Sequence, residues 1–169
     1  MSSNVDLCDY ISYQSLECLN QRPEKPAGNA LKQGYRDQED LVLESDADEQ
    51  LVLNIEFGQK LRHVSSMVIK GPADSGPKKI KLFANRGHMG FSDVTSTPAA
   101  MELQLTADQI TSGDAIQLKM VKFTFCTNIT IFVEDNQTGT ETTKVSKIAI
   151  YGQSGEGMDV SAIKKVDDK

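Results

Sequence analysis

The sequence predicts an all-β domain folded as a sandwich or jelly roll, and three observations carry that reading. Short runs rich in Val, Ile, Phe and Thr recur along the chain, several of them alternating apolar with polar positions. Turn-forming residues such as Gly71 with Pro72 and Gly76 with Pro77 separate them, and helical periodicity is nearly absent. The 169 residues at 38% hydrophobic content suffice for one core but not comfortably for two, so a single domain over residues 1–169 is expected.

Taken in order, residues 1–40 hold irregularly spaced apolar residues that suggest one or two helical turns, with Asn4 placed to cap the first. The stretch 21–34, interrupted by Pro23, Pro26, Gly28 and Gly34, reads as a polar arm or long surface loop. The sandwich itself is expected over 41–152. Its first strands are 51–57, which alternates cleanly, then 61–69 and 79–84. A short strand at 100–105 follows, then one helical turn at 106–110 capped by Thr106 and a run at 116–120 leading onward. The richest segment is 121–152. There Val121, Phe123 and Phe125 share one face of a predicted strand, as do Ile129, Ile131 and Val133 of the next, with Phe132 on the face that should be polar. In 145–151 the pattern leaves the inward face open, with Ile148 and Ile150 the better core candidates. Residues 153–169 read as a C-terminal tail in which Lys164 and Lys165 face solvent.

A net charge of −6 and a pI near 4.9 offer no overall field for nucleic acid or an anionic membrane. No apolar run approaches membrane-spanning length and the start lacks a secretory pattern, so a soluble, monomeric protein of the cytoplasm, with the nucleus also open, is expected. Cys8, Cys18 and Cys126 form no C-x-x-C pair, which argues against a disulfide framework, a zinc ribbon and a thioredoxin-type redox centre alike. The sequons at Asn128 and Asn136 carry no meaning inside a cell.

The acidic stretch from Leu43 through Asp46, Asp48 and Glu49 to Leu51, the strand that follows it to Phe57, and residues 121–123, 130–133 and 141–143 form a pattern together with Asn136, Gln137, Tyr151 and Gly152. With Asp6, Leu7, Tyr10, Ile11 and residues 18–20 near the start, this pattern resembles the PITH domain family over nearly the whole chain. The resemblance implies a jelly-roll β-sandwich of the galactose-binding-like kind and association with the 26S proteasome. The partner is implied because the domain so resembled forms the C-terminal half of a thioredoxin-like protein, the family name recording a proteasome-interacting thioredoxin. No thioredoxin domain precedes the sandwich within these 169 residues, so only the sandwich half of the resemblance carries over.

Candidate chemistry is sparse. Glu44, Asp46, Asp48 and Glu49 crowd carboxylates as calcium loops do, but they do not follow the EF-hand spacing, and a solvated turn held by Ser45 or Asp46 is the favoured reading. His63 and His88 have no metal-ligand partners at helical or Cys spacing. No nucleophile elbow or phosphate loop is legible, so no enzyme, cofactor or metal is expected. The loop 85–91 is the best binding candidate: its glycines free the backbone, while Arg86, His88, Met89 and Phe91 are anchor-type side chains. The competing reading has Met89 and Phe91 tucked back as the loop's own plug. The loop 135–144, with Asn136, Gln137, Glu141 and Thr142, reads as bonded to itself. Two functions follow: a non-catalytic protein-interaction module docking on the proteasome, or a small-ligand or carbohydrate-binding module. The absence of Trp, with only four Tyr and six Phe, favours docking over sugar stacking.

Overall fold

The computed structural model describes residues 5–32 and 41–155. In chain order these form β1 (Val5–Asp6), a 3-10 turn (Leu7–Tyr10), β2 (Glu17–Leu19), α1 (Gly28–Leu31) and β3 (Leu43–Glu44). β4 (Leu51–Lys70), β5 (Lys79–Ala84), α2 (Phe91–Ser96), β6 (Met101–Gln104) and α3 (Ala107–Ser112) follow. The chain then makes β7 (Ile116–Gln117), a second 3-10 turn (Met120–Phe123), β8 (Thr124–Val133), β9 (Lys144–Val145) and β10 (Lys147–Ser154). Asn4, residues 33–34 of the expected arm, and Lys164 with Lys165 lie outside the described residues. No helix among the described residues is long and apolar enough to cross a membrane.

The strands at 51–57 and 61–69 are one 20-residue strand, β4, and the sheet is built on it. Its first half lies between β2 and β8; its second half pairs with β10 and β7. The full order is β1-β10-β4-β8-β5-β6, antiparallel throughout, with β3 and β9 as a separate ribbon. β4 slips register against β8 between Glu56 and Leu61, and against β10 at two places. Bulges of this kind increase local twist, so one continuous strand can serve both layers of a curled sheet. They also let Leu61, Val64 and Met67 enter the same core despite their odd spacing. Gly152 lies opposite one bulge, where an added Cβ would run into the His63 carbonyl oxygen and come within 2.8 Å of Val64 Cα. A side chain there would push β10 off β4.

The main core joins Leu51, Leu53, Ile55 and Phe57 of β4 to Ile129, Ile131 and Val133 of β8 and Ile148 and Ile150 of β10. Each such side chain contributes about 1.5–3 kcal/mol on leaving water. The outer face of the β4–β8–β5 layer, which alternation marks as wet, is also covered. Val52, Phe83 and Phe132 bury there with Met89 and Val94 in a second, smaller core, which explains an aromatic at Phe132. The lid is the 85–99 segment, whose α2 has no counterpart in the sequence reading.

Three expectations are corrected. Residues 121–125 are not a strand with one apolar face: the 3-10 turn buries Phe123 completely, leaves Val121 84% exposed, and Phe125, at φ 49° and 61% exposed, is not a core residue. A three-residue repeat turns Val121 and Phe123 apart, whereas a strand would have aligned them. The arm is a packed connection: Ala27, Ala30 and Leu31 bury, the Ala27 amide donates to Gln21 Oε1 at 2.8 Å and Asn29 Nδ2 donates to the Val42 carbonyl at 2.9 Å. The tail begins later than 153, because Gln153 and Ser154 still pair with β4. The capped turn at Thr106 is as expected: its hydroxyl accepts from the Gln109 amide, Gln109 Oε1 accepts from the Thr106 amide, and Gly113 ends α3 at φ 77°.

Candidate functional site

The loop 85–91 leaves β5 and returns into α2 at the same end of the sheet as the start of β8. Asn85 opens it in the left-handed region, at φ 60°, which an Asn tolerates. Its Oδ1 accepts from the Thr127 amide at 2.7 Å and the Thr127 hydroxyl at 3.0 Å. Asn128 Nδ2 donates to the Gly87 carbonyl at 2.9 Å. The central tie is Asn54 of β4, fully buried. Its Oδ1 accepts from the Met89 amide at 3.0 Å and from Thr130 Oγ1 at 2.9 Å, while its Nδ2 donates to the Met89 carbonyl and to Glu17 Oε1, each at 2.9 Å. A buried amide with its donors and acceptors satisfied holds the loop at one height above the sheet.

Of the four residues expected to anchor a partner, the structure separates two from two. Met89 is 5% exposed in the second core. Phe91 is half-buried and meets Phe132 edge-on at 6.4 Å between centroids. Arg86 and His88 point outward, His88 Nδ1 lying 3.1 Å from Glu17 Oε1. The loop therefore plugs its own sheet with Met89 and Phe91 and offers Arg86 and His88 to solvent. Asn54 was missed because a lone Asn between Val52 and Glu56 reads as one more wet-face residue.

The acidic turn is a bonded structure. Glu44 accepts from the Thr142 hydroxyl at 2.7 Å and lies 3.6 Å from Arg22 Nε; Asp46 lies 3.7 Å from Arg22 Nη1. Asp48 Oδ1 accepts from Asn20 Nδ2 at 2.9 Å and from the Gln50 amide at 3.0 Å, and buried Ser45 Oγ accepts from the Thr143 amide at 2.8 Å. Among the described residues no group of three or more His, Cys, Asp or Glu side chains could hold a metal ion. Asn136 likewise closes its own loop, donating to the Thr140 carbonyl and accepting from the Gly139 and Thr140 amides, while Gln137 Nε2 donates to the Pro77 and Leu105 carbonyls. Both sequon asparagines are 4% exposed.

The sequence profile of the PITH domain matches residues 1–168 of the chain. The chain belongs to the PITH domain family. It is 32% identical over 161 residues to thioredoxin-like protein 1 of Schizosaccharomyces pombe, an alignment that covers 93% of this chain and 54% of that protein. It is also 30% identical over 159 residues to a PITH domain-containing protein of Drosophila pseudoobscura, covering 92% of this chain and 73% of the relative. This PITH domain thus spans about half the length of the yeast relative. Among solved structures, the family 32 carbohydrate-binding module of Clostridium perfringens NanJ, in complex with galactose, superposes with a TM-score of 0.63 at 12% identity, over 89% of this chain and 100% of that one. An F5/8 type C domain from Bacteroides fragilis gives 0.59 at 11% identity, over 90% and 97%. The PITH domain therefore has the galactose-binding-like β-sandwich fold.

Its three cysteines are free thiols, Cys8 and Cys126 buried and Cys18 half-buried. Burial pushes each thiol up to about 12. Burial thus keeps the thiols in the protonated, unreactive form at neutral pH. Insulin reduction by this PITH domain is accordingly expected to equal the blank; turnover that disappears in the Cys8→Ser, Cys18→Ser, Cys126→Ser variant would overturn this.

Proposed function

We propose that this PITH domain is a non-catalytic protein-interaction module of the cytoplasm that docks on the 26S proteasome. What carries the reading is membership of the PITH family over residues 1–168, whose resemblance implies that partner. It is supported by the thioredoxin-like relative and by a loop whose exposed side chains, Arg86 and His88, sit on a backbone fixed by Asn54 and Asn85. A pre-ordered loop loses little entropy on binding. Co-sedimentation of the full chain with purified 26S proteasome is the test. The wild type is expected in the pellet. Arg86→Glu with His88→Ala should weaken binding by about 2 kcal/mol while leaving the Tm nearly unchanged, since both side chains are exposed. Met89 is unsuitable for that variant, because its removal empties the second core. Failure of the wild type to sediment would reject the partner; equal binding by the variant would move the contact to another surface.

The carbohydrate reading draws on fold neighbours in complex with galactose, a likeness that at 12% identity reaches the fold alone. Among the described aromatic residues only Phe125 is an exposed ring. Chemical-shift changes on adding galactose, localised around Phe125, would favour it.

A further inference from the structure

The same end of the sandwich carries a second feature that the loop does not explain. Met120, Val121 and Phe125 are 45%, 84% and 61% exposed, three large apolar side chains within six residues of one segment. Phe125 is also held at φ 49°, a conformation that costs stability in a residue with a bulky side chain. The hold is specific: Asn85 Nδ2 donates to the Phe125 carbonyl at 3.3 Å while Asn85 Oδ1 takes the Thr127 amide at 2.7 Å. An aromatic ring kept in water on a strained backbone gains nothing for the isolated fold.

The charges around it are mainly basic, with Glu56 opposite Asn128 and Asp93 on the Gly90 amide at the margin. Three segments meet here: 119–127, the β4 stretch 58–63 paired to it through Leu61 with Cys126 and His63 with Thr124, and 84–91. Together they hold Lys60, Arg62, Arg86, Lys119 and Lys122 and not one Asp or Glu, in a chain whose net charge is −6. Arg86 and Lys122 line one shallow groove with Ala99 and Ala100. Glu17, which reaches this end from β2, is engaged by Asn54 and His88.

We propose that this end is a docking surface for an acidic protein segment bearing apolar side chains. Val121 and Phe125 pack against the apolar side chains, and Arg86, Lys119 and Lys122 face the carboxylates. Apolar anchors within a complementary charged rim are what such a segment requires, and complementarity of sign also speeds encounter. A protein segment fits better than an anionic bilayer because the acidic remainder of the chain would be repelled by a charged membrane plane. The proposal does not depend on the proteasome being the partner.

The test uses the full chain and a short fluorescein-labelled peptide alternating glutamate with leucine and phenylalanine, read by fluorescence anisotropy at low and high salt. A peptide of equal charge with serine in place of the apolar residues is the control, and phosphatidylserine vesicles form a separate arm. The wild type is expected to bind the apolar acidic peptide, more weakly at high salt, and to bind the serine peptide poorly. Phe125→Asn should weaken binding about tenfold with an unchanged or higher Tm, because Asn accepts the left-handed backbone. Lys119→Glu with Lys122→Glu should weaken it about as much and flatten the salt dependence. No wild-type binding, equal binding by Phe125→Asn, or binding to vesicles but not to the peptide would each overturn the proposal. Should Phe125→Asn lower the Tm, Val121→Ser decides alone at its 84% exposed site: weakened peptide binding supports the surface and unchanged binding overturns it.

Discussion

Phe123→Ala is expected to lower the unfolding free energy by about 3–5 kcal/mol, the range for emptying a buried aromatic site. Phe123 is completely buried in the main core, at the end of the 3-10 turn that carries the chain from β7 into β8. Val121 in the same turn is 84% exposed, so Val121→Ala is expected to change stability by no more than about 0.5 kcal/mol. The pair separates packing from any effect on the turn itself. Equilibrium urea unfolding measures both, and a Phe123→Ala loss well below about 1 kcal/mol would place this ring outside the core.

Asn54→Leu should cost about 2–4 kcal/mol although the side chain keeps its heavy-atom count and branching and becomes more apolar. The loss comes from the partners: the Met89 N–H and C=O and the Thr130 hydroxyl are left without their bonds beneath the 85–99 lid. Amide exchange at Met89 is expected to rise towards that of an open loop, with Val94 loosening as the second core gives way. Unchanged stability together with a still-protected Met89 amide would show that packing, not Asn54, holds the lid.

Alternation was enough to place strands within β4, β5, β8 and β10, though not to join 51–57 with 61–69, and to assign Leu53, Ile55, Phe123, Ile129, Ile131 and Ile148 to one core; Phe125, assigned with them, is exposed. It could not show whether the opposite face is wet. A period of two says which residues share a face, and only tertiary structure decides that Val52, Asn54 and Phe132 lie under a lid. Phe132 was the visible signal, an aromatic on the face that should have been polar. At 121–125 five residues are too few to separate a strand from a 3-10 turn followed by a left-handed residue. Ala27, Ala30 and Leu31 sit among prolines and glycines in a stretch too short to reveal a helical face. In the candidate loop the residue types were legible but their direction was not, because Met89 and Phe91 serve equally well as anchors or as plug, and burial alone separates those roles.

The long β4 has a consequence for the order in which a ribosome delivers this chain. All twenty residues of β4 emerge before the first residue of β8, its main partner, and before β10, which closes the other half. Through that interval the longest strand of the domain has open hydrogen-bonding edges and unburied Leu, Ile and Val side chains, so the growing polypeptide is most prone to aggregation while its sheet waits for the segments around residues 124–133 and 147–154. Sheet closure therefore waits for β10, and the edges of β4 are most open before β10 clears the exit tunnel.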